Sequence, residues 1–125
     1  MDDATFEKLV AEALDSLPEQ FLRRLENVEV VIEDLPTTED LLEAGMEGED
    51  PRELLGLYVG VPLTSRDTQY AGALPDRISL FKRSIEAWAG DDPEAVRDEV
   101  RHTVIHEVAH YYGISDERLQ EMGWD

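Results

Sequence analysis

The sequence predicts an α+β protein in which a small, mostly antiparallel sheet packs on one long helix, preceded by helices at the N-terminus. Three observations carry that expectation. An apolar stripe at helical spacing runs from Phe6 to Leu25. Three short β-branched or alternating runs follow between Asn27 and Phe81, and a proline-started helix pattern then fills Pro93 to Tyr112.

In chain order, Phe6, Leu9, Val10, Ala13, Leu14 and Leu17 recur at spacings of three and four, which is one face of a helix. Pro18 ends that helix and opens a second, because proline lacks the N–H that the next helical hydrogen bond requires; Phe21, Leu22 and Leu25 continue the stripe. Asn27 to Leu35 holds Val28, Val30, Val31 and Ile32 before Pro36, the pattern of a strand. From Thr37 to Glu53 seven carboxylates are offset only by Arg52. Leu41 and Leu42 suit one helical turn, but Gly45 and Gly48 read as loop, and the segment lacks the alternating spacing with a central glycine of a calcium loop. The segment is therefore expected to be a solvated acidic loop. Leu54 to Leu63 alternates as a second strand, with Leu55, Leu57, Val59 and Val61 on one side. A loop from Thr64 to Pro75 precedes a third strand at Ile78, Leu80 and Phe81. Strands so closely spaced suggest antiparallel pairing. Ile85, Ala87 and Trp88 form a short helical piece stopped by Gly90. Asp91 or Asp92 can cap the long helix, Pro93 suits its first position, and Gly113 suits the residue just past its end. Ser115 can cap a last short helix anchored by Leu119 and Met122.

Composition narrows the function. The 125 residues are read as one domain, residues 1–125, large enough to bury about two-thirds of the surface the unfolded chain exposes. Thirty acidic against eleven basic residues give a net charge of -19, the wrong sign for displacing counterions from nucleic acid or docking on an anionic membrane. Zero cysteines exclude disulfides, thiolate ligands and cysteine nucleophiles. No apolar run approaches the ~18 residues of a membrane span, and Met1-Asp2-Asp3 is a poor signal-peptide start, so a cytoplasmic location is expected.

The long helix ends in His106-Glu107-Val108-Ala109-His110-Tyr111-Tyr112-Gly113-Ile114-Ser115-Asp116. Histidines four apart lie one turn apart on nearly the same helix face, so both imidazoles can reach one zinc ion at about 2.0–2.1 Å. Glu107 projects beside such an ion, where a base would stand to take a proton from a metal-activated water. A catalytic zinc generally has three protein ligands. Gly113 lets the chain turn sharply, and Asp116 can return a carboxylate oxygen as the third. HExxH arises by chance in about 1 of 100 chains of this composition, whereas HExxHxxGxxD arises in roughly 6 of 100,000, which favours the metal reading. Three imidazoles at i, i+4 and i+8 converge poorly, so His102 is expected to pack or to support the site, hydrogen-bonded to Asp98. Tyr111 and Tyr112 could donate to an oxyanion but are read as core or rim.

Over His102 to Leu119 the sequence resembles the small single-domain zincin-like metallopeptidases of bacteria. The resemblance extends through Leu54 to Leu63 and through Tyr70 to Ile78. It implies a zincin-like α+β fold with a mixed sheet on the active-site helix and an edge strand able to pair with an extended peptide. It also implies Zn²⁺ held by His106, His110 and Asp116, with Glu107 as the base, and a peptide or protein as substrate. Metzincins continue into a subdomain with a methionine-containing turn; here nine residues follow Asp116, and Met122 does not match that turn. The expected activity is zinc-dependent peptide hydrolysis. The alternative is a non-catalytic module that keeps the scaffold to bind a metal, a peptide or a partner.

Overall fold

The missing N–H of Pro18 places the first break in the chain. In the computed structural model, which describes residues 1–60 and 75–123, helix α1 spans Asp3–Asp15 and α2 spans Glu19–Arg24, with Pro18 directly before α2. The Asp2 carboxylate starts α1 by accepting the Thr5 N–H at 2.8 Å, one of the donors that a helix start leaves unpaired. The remaining elements are β1 (Val28–Glu33), α3 (Thr38–Glu43), a single 3-10 turn (Pro51–Glu53), β2 (Gly56–Val59), β3 (Asp76–Phe81), α4 (Lys82–Ala89), α5 (Pro93–Tyr111) and α6 (Asp116–Met122). Among the described residues no helix is long and apolar enough to cross a membrane.

The strands form one sheet in the order β1-β3-β2. It is mixed, as the resemblance implies, but not mostly antiparallel. All of β1 runs parallel to β3, with Val28 opposite Asp76 and Glu33 opposite Phe81, and only β2 is antiparallel to β3. The reason lies in the connection. Between β1 and β3 the chain passes through α3 and β2, a crossover long enough for parallel pairing, whereas close spacing had suggested successive hairpins. Expected strand residues Val61 and Leu63, the loop from Thr64, and residues 70–74 lie outside the described residues.

β3 is covered on both faces. Ile78 and Leu80 face a core shared with Phe6, Leu9, Val10 and Ala13 of α1 and with Val96, Val100, Val104, Ile105 and Val108 of α5. Each of these side chains larger than alanine, fully buried, contributes roughly 1.5–3 kcal/mol. On the other side Phe81 meets Leu41, Leu54 and Leu57 in a second cluster. That cluster shows the helical turn that Leu41 and Leu42 suit, inside a segment otherwise expected to be loop. Thr37 and Asp40 close a capping box at 3.1 and 2.9 Å that starts α3, and Leu41 anchors the helix to the sheet. The carboxylates of Glu39, Glu43, Glu47, Glu49, Asp50 and Glu53 remain exposed, as expected of a solvated face.

β2 lies hard against α5 at Gly56. A Cβ there would stand 2.6 Å from Thr103 Cγ2 and 3.2 Å from the Ser79 carbonyl oxygen, too close without movement of the strand or the helix. Gly56→Ala is therefore expected to lose about 1–3 kcal/mol of stability through overpacking, read as a lower urea midpoint. Thr103→Ser, which removes the obstructing methyl, should restore part of that loss in the double variant. An unchanged midpoint for Gly56→Ala would mean that the contact is not tight in solution.

Candidate metal centre

Helix α5 carries the site on the side turned from its buried valines. Asp92 stands at its N-cap position with Pro93 following, although the Asp92 side chain makes no capping hydrogen bond. At the other end the Gly113 N–H donates to the His110 carbonyl at 3.1 Å and the Ile114 N–H donates to the Ala109 carbonyl at 2.8 Å. This closure needs a left-handed residue at its centre, and Gly113 supplies it with φ 73°. The chain reverses, Ile114 packs on the main core, and the Ser115 hydroxyl caps α6 by accepting the Arg118 N–H at 3.1 Å. Asp116 is the first residue of α6 and so returns beside the last turns of α5.

The consequence is a meeting of three side chains. Ligand atoms of His106, His110 and Asp116 all lie within 4.8 Å of one another. Asp116 Oδ1 is 3.6 Å from His106 Nδ1 and 4.0 Å from His110 Nε2. Two donors bound tetrahedrally to zinc at ~2.1 Å sit about 3.4 Å apart, so the separations are close to what the ion requires. The Asp116 side chain is 71% exposed and free to rotate through the small remaining distance. The donor set, two imidazoles and a carboxylate, suits a divalent transition metal, and the residues present fit zinc. Among the described residues no other group of three potential ligands comes together.

His102 does not join the three. Its ring lies over that of His106, with centroids 4.1 Å apart. Among the described residues it forms no hydrogen bond to Asp98, so the expected pairing gives way to this ring contact. Tyr111 and Tyr112 are half-exposed at the rim. Tyr111 stacks on Tyr58 at 4.1 Å, and the Arg24 guanidinium lies over Tyr112 at 5.2 Å.

Glu107 occupies a different environment from the ligand candidates. It is largely buried between α5 and β2, and its Oε1 accepts the backbone N–H of Tyr58 at 3.0 Å. Tyr58 is itself fixed, its hydroxyl donating to Asp76 Oδ2 at 2.6 Å. Sequence reasoning did not find Tyr58, because a backbone N–H has no residue-type signature and stands 49 residues from its partner.

Burial pushes the Glu107 carboxyl above its ordinary value of 4.5, against the smaller opposing effects of the Tyr58 hydrogen bond and the positive charge His110 can carry. The folded metal-free chain thus holds this proton more tightly than the unfolded chain does. The resulting stability is complete below the ordinary value and is lost as pH rises through the raised one. In chelator, Glu107→Gln is therefore expected to melt above wild type at pH 7, with the gap closing as pH falls below about 4.5. Thermal melts across that range check it, and an equal gap at every pH would contradict it.

Comparison with curated proteins finds no match. The model of one family does match, over residues 25–124, and its description is zincin-like metallopeptidase. That span takes in the whole sheet, α5 with both candidate ligand histidines, and the turn that returns Asp116: the chain belongs to the zincin-like metallopeptidase family.

Proposed function

We propose that the protein is a zinc-dependent peptidase, with His106, His110 and Asp116 as metal ligands and Glu107 as the general base. The observation that carries this reading is the convergence of the three ligand candidates within 4.8 Å, with a buried carboxylate next in the chain to one of them. Zinc bound there would lower the pKa of a water molecule from 15.7 toward ~7 and polarise a peptide carbonyl. Everything else falls to the chain. The Tyr58 N–H holds Glu107 Oε1, which leaves Oε2 to receive the proton of the attacking water. Water oxygen bonds to the carbonyl carbon, the C–N bond breaks, and Glu107 returns the proton to the leaving amine nitrogen.

The substrate is proposed to be an extended peptide. Among the described strands β2 lies at an edge of the sheet, and its outer side faces the candidate centre through Tyr58. The test is metal analysis of protein purified without added zinc, together with cleavage of a peptide library. One zinc per chain is expected, with cleavage abolished by chelation and restored by an equivalent of zinc. Substoichiometric metal and no turnover, alongside tight peptide binding, would favour the non-catalytic module instead.

A further inference from the structure

Beside the candidate centre the structure has two adjoining depressions. The first, about 250 Å³, runs along α5 and the start of β2 and includes Glu53, Glu99, His102, His106 and Glu107. The second, about 600 Å³, lies between α4 and α5 and is lined by Trp88, Ala89, Ala95, Asp98, Glu99 and His102. Glu99 and His102 border both, so the two form one trough leading away from the metal centre. Three features of its far end stand out. Trp88 is 73% exposed, an unusual position for the largest apolar side chain. The small side chains of Ala89 and Ala95 leave room beside it. Among the described residues Asp98 and Glu99 have no ion-pair partner, and no described Lys or Arg lines either depression.

We propose that this end of the trough is a subsite for the cationic side chain of an arginine or lysine in the peptide substrate, seated on the Trp88 indole with its charge against Asp98 and Glu99. An aromatic face next to carboxylates is what a guanidinium or ammonium group selects, the ring attracting the cation through its quadrupole and the carboxylates neutralising it. A neutral or acidic side chain would gain neither interaction. Position follows from helix geometry. Asp98 and Glu99 precede His106 by eight and seven residues on α5, about 11 Å at 1.5 Å per residue. An extended peptide covers that distance in roughly three residues. The cation therefore belongs about three residues from the bond to be cut, or two with a long side chain reaching outward.

The subsite rests on the peptidase reading for its place in a reaction, but binding tests it separately. Blocked octapeptides of alanine carrying one Arg three residues before or after the central bond, and their Gln counterparts, are titrated by calorimetry into the zinc-loaded Glu107→Gln protein, where slow turnover leaves them intact. In one of the two placements the Arg peptide is expected to bind about tenfold tighter than its Gln partner. Trp88→Ala, and the pair Asp98→Asn with Glu99→Gln, should each remove most of that preference. Both alter exposed or half-exposed side chains and leave the fold in place. Equal binding of Arg and Gln peptides, no binding of either, or a preference that survives both variants overturns the subsite. If wild type cleaves none of these peptides while the Arg preference persists, the peptidase reading fails and the subsite stands.

Discussion

Replacing Glu107 by glutamine is expected to lower the rate of peptide hydrolysis by about 10²–10⁴, with zinc content unchanged. The size follows from what the substitution removes. Gln keeps a carbonyl oxygen that can still accept the Tyr58 N–H, so the contact between α5 and β2 survives. It keeps the volume of the side chain, so no cavity forms. It removes the basic oxygen, and with it the group proposed to take a proton from water and return it to the amine. The loss should appear in kcat more than in KM, because the proton is transferred only on the way to the transition state. Hydrolysis equal to wild type by a fully zinc-loaded variant would take Glu107 out of the chemistry.

How much of this was legible in the sequence depends on how local each feature is. The spacing of His106 and His110, the capping Ser115 and the left-handed Gly113 are fixed by residues within a few positions of one another, and the structure has the helix, the turn and the next helix where those signals put them. The N-terminal break at Pro18 was readable for the same reason. Pairing was not. Val28 and Asp76 become opposite partners only because a long crossover returns the chain, and nothing in either run encodes parallel direction. The acidic segment was legible in part. Its glycines and carboxylates describe the exposed side correctly, while the single buried Leu41, held by a capping box whose two members are themselves polar, decides that the segment is partly helical. The hold on Glu107 was invisible because its donor is backbone.

The second large effect concerns the third ligand. Structural zinc sites with four ligands bind with an apparent 10–16 kcal/mol, about 3 kcal/mol per ligand, so losing one should weaken binding more than a hundredfold. Asp116→Ala is expected to do so, read by competition with a chromogenic chelator. The fold should tolerate it, because Asp116 is exposed and the cap of α6 is provided by Ser115. His102→Ala is the necessary comparison. His102 lies eight residues before His110, about 12 Å along a straight helix, too far for both rings to reach one ion from the same face. Its ring only contacts that of His106, so its loss should change zinc affinity much less than the loss of a ligand. The contrast between the two variants is the informative result. A hundredfold loss in Asp116→Ala beside a small one in His102→Ala assigns the third position to the residue after the turn. The opposite pattern would assign it to the helix, and Gly113 would then end α5 without any part in binding metal.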